Sequence, residues 1–579
     1  MGVIGWTWLL VAASLALQAA VAVRARARAT ADLYVAEPTV RPAVSGMATA
    51  SDWISAASFM SVAGVIAFAG RDGAAYLMGW TGGYVLLAVL LAPYLRKWGK
   101  YTVPQFVADR YYSRGARVVA TGCALVVSFT YVAAQVRGVG IVLAGVAGVR
   151  MEAAVALGAA AVLAFAVLGG LKGVTASQVA QYLVVLLALV VPAVLVSQAL
   201  TGNPFPPLGL GDRLTAEGAA RLRAAPGAHL LAALDAALRD LRFPAFTAGA
   251  GRRADVLATT AALMIGTAGL PHILVRFFTV PKIRDARATA AWALLFLALF
   301  YASVPAVAAF GRGLLVASVE GARGEAPPAW WPRWQEAGLV AWNDRNGDGV
   351  MQLSGDPARN EVLVDHDVLV LAEPELAGLP PWVAGLVAAG ALGAALSTGA
   401  ALLLVIASGV AHDLVRGVVS PRLSERAELW WARAGAVLAA LGAGWLALRP
   451  PGAIAETVAI AFGLAASSFF PVLVLGVFWK RATREGAIAG MIAGMLFTLG
   501  YVLWFKRVHP ELDIPARWWL GVSPQGIGVV GAAFNAAAVV AVSLATPAPP
   551  ARVQELVEAL RTPREAAPEG VAAAAPPGR

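Results

Sequence analysis

The sequence predicts an all-α fold with about 13 membrane-spanning helices, and two observations lead to that prediction. Of its 579 residues, 59% are hydrophobic and only 14% are charged. The charged residues fall almost entirely between apolar runs that are long enough, at about 20 residues each, to cross a hydrocarbon layer. Since lipid offers the backbone no hydrogen-bond partners, each run is expected to be a helix that satisfies its own N–H and C=O groups.

The predicted crossings follow one another along most of the chain. The first apolar run is followed by Arg24, Arg26 and Arg28, whereas the positive charges of a signal peptide precede its apolar core. We therefore expect a retained helix with its N-terminus outside. The crossings are residues 3–23, 51–70, 74–95, 117–147, 152–171, 177–199, 254–278, 287–312, 381–408, 430–448, 454–479, 484–505 and 525–546.

The net charge of +11 is interpreted as a topology signal and not as a nucleic-acid site. With the N-terminus outside, every predicted inward loop is basic, as cytoplasmic loops are. This membrane topology predicts a multi-pass protein of the cell (inner) membrane with a cytoplasmic C-terminus. The basic loops are 24–28, 96–100 with Arg110, Arg114 and Arg117, 282–287, 416–433 and 480–484.

Two crossings, 51–70 and 254–278, are interrupted by small residues that permit kinks, and each opens a set of five crossings. Paired interruptions indicate a transporter built from inverted repeats, with its site between the repeats near the bilayer midplane. The alternative is that the glycines only permit close helix packing. The sequence contains no catalytic zinc helix, nucleophile motif or phosphate-binding loop, so we predict that the protein is not an enzyme.

These patterns predict a division of the chain into consecutive parts. The loop 313–380 carries eleven Asp or Glu residues against four Arg. The parts are an N-terminal extra helix with a basic loop (1–50), a first five-helix repeat (51–199), an external loop (200–253), a second repeat that includes the acidic external loop (254–479), two C-terminal helices (480–546) and a flexible cytoplasmic tail (547–579).

Six segments carry a resemblance to a known family. GTAGLPHILVRFFTVPK, residues 266–282, resembles the seventh-helix signature of bacterial acetate and monocarboxylate permeases in the sodium/solute symporter family. The resemblance implies two inverted five-helix repeats, as in the bacterial leucine transporter, and the long acidic loop is similar to that of a longer subgroup. The other segments are SDWISAASFM (51–60), TVPQFVADRYY (102–112), YVAAQVRGVG (131–140), LGGLKGVTASQVAQY (168–182) and GALGAALSTGAALLLVIASGVAHDL (390–414).

The resemblance also implies a sodium site between the first core helix and the eighth. Its ligands would be the backbone oxygens of Ser51, Ile54 and Ala394 and the hydroxyl groups of Ser397 and Thr398. A small hard cation needs several such oxygens. The alternative is that each hydroxyl group bonds back to a carbonyl of its own helix.

Asp52 is the carboxylate near this cluster, at the predicted start of its helix. One interpretation is an N-cap, which accepts hydrogen bonds from free backbone N–H groups. The other is that Asp52 balances the charge of the ion or takes a proton, because ionisable groups at membrane depth tend to be functional.

A carboxylate substrate needs hydrogen-bond donors or positive helix ends to offset its desolvation, and the two interruptions would provide helix ends. Arg137 is either a partner of the substrate carboxylate or a partner of an interfacial or internal acidic residue. His272 is either linked to proton transfer or holds a structural hydrogen bond. The substrate-binding candidates are Ser55, Ser58, Gln135, Arg137 and Thr267.

The acidic loop contains the start of a calcium-loop pattern. Asp344, Asn346 and Asp348 alternate, and Gly349 permits the turn that brings their oxygens together. The last acidic ligand is displaced by one residue, to Asp356. A weak external calcium site and a solvated acidic turn are both open interpretations.

The sequence therefore predicts a sodium-coupled symporter of a small organic anion, an acetate-like monocarboxylate, that works in the lipid bilayer without a required protein partner. The alternatives are a sensor that keeps the transporter fold, and proton-coupled symport of a carboxylate or of another small solute.

Overall fold

The computed structural model describes residues 1–24, 42–98, 102–249, 251–278 and 283–561. Only the backbone is described at residues 19, 22–24, 147, 168–176, 276–278 and 283–287. Parts of the predicted basic loops at 24–28 and 282–287, and the predicted tail beyond residue 561, lie outside this description.

Helices make up most of the described chain. Before the first long loop they are α1 (Val3–Arg24), α2 (Pro42–Trp53), a π-helix (Ala57–Ser61), α3 (Val62–Ala69), α4 (Ala75–Leu90), α5 (Ala92–Trp98), α6 (Val103–Arg110), α7 (Arg114–Ala147) and α8 (Met151–Thr201). The two long loops and the helices between them contain α9 (Pro206–Gly209), α10 (Ala216–Arg221), α11 (Leu230–Asp240), α12 (Arg253–Gly269), α13 (Pro271–Phe278), α14 (Ile283–Tyr301), α15 (Val304–Val319), α16 (Trp331–Glu336) and α17 (Leu369–Leu376). The rest are α18 (Pro381–Ser408), a π-helix (Gly409–Val419), α19 (Glu425–Ala447), α20 (Ile454–Ser468), α21 (Phe470–Phe478), α22 (Arg484–Leu503), a π-helix (Trp504–Val508), α23 (Gly528–Ala545) and α24 (Ala551–Arg561).

Each of the thirteen predicted crossings overlaps helical backbone. Within the described residues, nine helical stretches are long and apolar enough to cross a membrane, and two shorter apolar helices cover Val3–Gln18 and Met151–Val167. The predicted crossing at 254–278 is divided between α12 and α13. The protein is therefore a multi-pass helical membrane protein.

Helical residues extend from Met151 to Thr201, and the two halves of this stretch run in opposite directions. The first half is antiparallel to α7, which is itself antiparallel to α18, and the second half is antiparallel to α18. The two predicted crossings in this stretch are thus two separate passages. These directions follow from neighbouring pairs: Gly140 with Val155, Gly158 with Val139, Gly399 with Gln135, Gly409 with Thr121, Gly393 with Gln181, and Gly390 with Ala188.

Contacts between loops define two opposite faces of the molecule. On the basic face, which carries the loops 96–117, 416–433 and 480–484, Arg110 donates to the carbonyl oxygen of Trp479 at 3.0 Å. On the long-loop face, which carries the loops 201–253 and 313–380, the N–H of Gly355 donates to the carbonyl oxygen of Leu241 at 2.8 Å. The helix α7 begins at the basic face and ends near Trp334 of the long-loop face.

Two features of the periphery differ from the prediction. The acidic loop contains a short antiparallel hairpin, β1 (Val340–Trp342) with β2 (Val362–Val364). The first part of the predicted flexible tail is the helix α24, in which Val557 is fully buried and Glu558 pairs with Lys480 at 2.5 Å. The expectation of a flexible end was therefore wrong for residues 551–561, because their apolar face packs against the bundle.

Candidate functional site

The first broken helix comprises α2, the π-helix at 57–61 and α3. The helix α2 ends at Trp53, and Ile54 to Ala56 interrupt the regular helix before the π-helix begins. Because α2 begins at Pro42, Asp52 lies in its last turn and not at a helix start. The N-cap interpretation of Asp52 was therefore wrong. A carboxylate in a last turn faces the negative end of the helix dipole, so it needs other partners.

Polar side chains from three other helices hold this break. The N–H of Ala56 donates to Oε1 of Gln135 at 3.0 Å, which satisfies a backbone group that the interruption leaves without a helical partner. Thr398 donates its hydroxyl hydrogen to the backbone oxygen of Asp52 at 3.0 Å. Nε2 of Gln178 donates to the Asp52 carboxylate at 3.0 Å.

The second broken helix comprises α12 and α13, and its break is a single residue. Leu270 has extended backbone angles, as the residue before a proline usually does, and α13 starts at Pro271. Gly266 lies so close to α20 that an added Cβ would be 2.2 Å from the backbone oxygen of Phe462. This glycine serves close helix packing, as the alternative interpretation held, whereas the proline accompanies the interruption.

The predicted sodium ligands lie together at the first break and are at most 2% exposed. Ser397 donates to the backbone oxygen of Ala394 at 3.2 Å, so its hydroxyl bonds within its own helix. Thr398 instead reaches across to α2. The two neighbouring hydroxyl groups thus differ: that of Ser397 bonds to a carbonyl of its own helix, and that of Thr398 bonds to another helix.

A small, partly open cavity lies between the two breaks, and its lining residues pack so closely in this conformation that no room for a water molecule is left. Its walls are mainly aromatic: Trp80 and Tyr131 approach the ring of Phe462 with centroid distances of 5.9 and 5.8 Å. Ser58 is the polar residue of the first break that lines it, and its hydroxyl is 3.0 Å from that of Tyr301. The other lining residues are Trp53, Leu270, His272 and Ile273.

The structure brings only part of the predicted substrate set to this cavity. Ser58 lines it, whereas Ser55, Gln135 and Thr267 are buried behind the lining. His272, which was predicted for proton coupling, also lines the cavity, edge-on to Tyr131 at 5.4 Å between ring centroids. Thr267 packs against Gly83 of α4.

Sequence reasoning missed the aromatic wall. Trp53 and Tyr131 lie inside the segments that carry the family resemblance, but only polar and charged side chains were considered there. Trp80 and Phe462 lie outside those segments. An aromatic residue beside a helix break is the signal that could have identified Trp53.

Arg137 does not line the cavity. Its Nη2 pairs with Asp365 at 2.7 Å, and its Nε lies 3.8 Å from Asp367. Both carboxylates belong to the acidic loop, so Arg137 takes the second predicted role, with acidic neighbours. The pairing could not be read from the sequence because 228 residues separate Arg137 from Asp365.

The turn at residues 365–367 closes the long-loop face above the first broken helix. Asp367 accepts from the N–H of Ile454 at 3.1 Å, and Ser61 accepts from the N–H of Ala455 at 2.8 Å, so the first turn of α20 is capped from two elements. Burial and the neighbouring Asp365 raise the pKa of Asp367 to about 7. Burial lowers the pKa of His366, which stacks on Phe68.

Comparison with known families agrees with this arrangement. The model of the sodium:solute symporter family matches residues 33–326 and 364–494. The chain belongs to that family. As a family member it is a sodium-coupled solute symporter and not an enzyme.

Two relatives and one solved structure are similar to this symporter. An uncharacterized symporter of Cupriavidus necator is 35% identical, with 96% of this chain and 94% of the relative covered. A monocarboxylic acid transporter of Corynebacterium glutamicum is 27% identical, with 81% and 77% covered. A Na⁺-coupled sialic acid symporter, solved in a substrate-bound outward-open state, has a TM-score of 0.65 at 16% identity, with 94% of this chain and 98% of that chain covered. This likeness confirms the predicted fold with two inverted five-helix repeats.

The residues of the predicted calcium loop of this symporter bond within their own turn or to Arg242. The Asp344 carboxylate accepts from the N–H groups of Gly347 and Gly349 at 2.7 and 3.0 Å. Asp356 lies 3.6 Å from Arg242, in an ion pair. Asn346 donates to Asp348 within the turn at 2.9 Å. Among the described residues, no three His, Cys, Asp or Glu side chains form a group that could hold a metal ion.

Proposed function

We propose that this symporter imports a small, acetate-like monocarboxylate together with sodium by alternating access. The observation that carries the proposal is the small cavity between the two broken helices, which has an aromatic wall and few polar groups and would widen when a solute binds. Such a cavity suits a solute that has a short apolar part and one polar end. The similarity to the monocarboxylic acid transporter supports the same substrate class.

For sodium, the proposed ligands are the backbone oxygens of Ser51, Ile54 and Ala394 with the hydroxyl groups of Ser397 and Thr398. The hydrogen bond from Thr398 to Asp52 supports this assignment, because it brings α18 within bonding distance of the first break. When bound, sodium would supply a charge that links the two helices. Asp52 is buried and would balance that charge.

For the substrate, Ser58 and Tyr301 are the proposed partners of the carboxylate. Their hydroxyl groups lie 3.0 Å apart, so both can turn a hydrogen toward a shared anionic acceptor. The rings of Trp53 and Trp80 would pack against the apolar part of the acid. Ser55, Gln135 and Thr267 would support the break from behind, and Arg137 would take part in closing the long-loop face.

Uptake by proteoliposomes tests the proposal. Labelled acetate is offered under an inward sodium gradient, and propionate, pyruvate and lactate are added as competitors. We expect accumulation that requires sodium and competition by the other short acids. Accumulation under a proton gradient alone would replace sodium coupling by proton coupling, with Asp52 and His272 as the residues to examine. Substrate binding without any flux would favour a sensor.

We also propose that the basic face is cytoplasmic, in the cell (inner) membrane. The basic loops meet on that face, and cytoplasmic loops of membrane proteins are enriched in Lys and Arg. A cysteine introduced at exposed Val419 of the basic face should be labelled only from inside, and one at exposed Leu363 only from outside. The reverse labelling would overturn the orientation.

A further inference from the structure

Arg312 is a buried cation of the long-loop face that the proposed transport mechanism does not use. It lies in α15 and is 2% exposed. Its Nε and Nη1 have no hydrogen-bond partner. Arg312 forms no ion pair with a carboxylate of the described residues, whereas Arg137 and Arg333 on the same face each form one.

The faces of the Arg312 guanidinium group are covered by aromatic rings. Its central carbon lies 4.4 Å from the ring centroid of Phe68 and 4.7 Å from that of Phe243. Cation–π contacts of this kind stabilise a charge that has lost its water. The rings do not accept from the N–H groups of Nε and Nη1, which lie in the plane of the guanidinium group and still need an acceptor.

A cavity with about 270 Å³ of space between atoms lies beside Arg312, and its open room is about that of one water molecule. It is lined by the end of α3 and by residues 243–246 of the first long loop. A water molecule could accept hydrogen bonds there, but it would leave the buried charge uncompensated. A small anion supplies both the acceptor and the opposite charge.

We propose that this cavity binds a monovalent inorganic anion of the size of chloride, held by Arg312. Phe68 belongs to the first broken helix and Phe243 to the first long loop, so the anion would join these two elements. The carboxyl end of α3 cannot replace the anion, because the end of a helix carries only about half a negative charge. The site is separate from the sodium and substrate sites and does not depend on the proposed substrate.

Thermal unfolding of the purified full-length protein tests the site directly. Sodium chloride is titrated against sodium gluconate at constant sodium, so that only the anion changes. We expect a saturable rise of about 1–3 °C with chloride. Arg312→Gln should lose the chloride-dependent rise. Arg71→Gln, which removes a neighbouring arginine with a 68% exposed side chain, should retain it.

Two outcomes would overturn the proposal. One is a wild-type protein whose unfolding temperature is the same in chloride and gluconate, and the other is an unchanged chloride response in Arg312→Gln. If this variant does not fold, crystals of the wild-type protein soaked in sodium bromide provide the second measurement. An anomalous peak beside Arg312 supports the site, and an ordered cavity without a peak excludes it.

Discussion

The two broken helices are interrupted in different physical ways. The first break is several residues long and is held by hydrogen bonds from side chains of other helices, among them Gln135 and Thr398. The second is one residue long, at Leu270, and is accompanied by a proline and by close backbone packing at Gly266. We therefore expect the two breaks to serve different functions. An ion needs backbone oxygens that a long interruption can release, whereas a rigid short break can serve as a wall of the cavity.

The largest expected effect comes from filling the packing contact of the second break. In Gly266→Ala, the new Cβ would lie 2.2 Å from the backbone oxygen of Phe462, so α12 and α20 must separate. Overpacking usually costs about 1–3 kcal/mol, and a clash with backbone costs more. We expect loss of sodium-driven uptake and a lower unfolding temperature. The control is Gly500→Ala, whose Cβ would meet nothing within 4 Å; equal behaviour of the two variants would contradict the packing argument.

The first break should be weakened by removing one polar side chain. Gln135→Ala leaves the buried N–H of Ala56 without an acceptor, which costs about 1–3 kcal/mol. Its unfolding temperature is compared with that of Gln198→Ala, which truncates an exposed glutamine of α8. If the two glutamine variants unfold at the same temperature, the hydrogen bond to Ala56 does not support the break.

The two neighbouring hydroxyl groups of α18 provide a finer test. Thr398→Val removes the bond to Asp52 and should destabilise the sodium-free protein by about 1 kcal/mol, whereas Ser397→Ala removes only a bond within its own helix. Both variants should need more sodium for half-maximal uptake, because both hydroxyl groups are proposed ligands. Unfolding without sodium and uptake across a sodium titration separate the two effects. Unchanged sodium dependence in both variants would remove the ion-site assignment.

The smallest effect is expected from pH, and Asp367 beside the first broken helix allows it to be tested. The pKa of Asp367 is raised to about 7 in the folded protein, so the native state binds a proton that the unfolded chain has already released above about pH 4. The contribution of this group to stability should therefore decline as the pH rises from about 4 to 7 and level off above that. Asp367→Asn should flatten this part of the profile. An identical profile in the variant would show that another group titrates.

The sequence predicted those features of the site that depend on residues close together along the chain. It located both interruptions, and it identified Ser397 and Thr398 as a pair beside the first break. Asp52 was placed at a helix start because the polar residues before it resemble a loop, whereas α2 begins at Pro42. The ion pairs of Arg137 could not be predicted because its partners come from a distant loop. The cavity wall was missed for the same reason, since Trp80 and Phe462 meet only in the folded chain.

The turn at 365–367, which covers the first broken helix, belongs to a loop and not to a crossing. The length and polarity of a crossing are constrained by the bilayer, whereas a surface loop accepts substitutions and insertions at little thermodynamic cost. Changes in this loop could therefore adjust how often the long-loop face opens while the cavity and the break keep their residues. In such a molecule, turnover rate and solute selectivity can evolve independently.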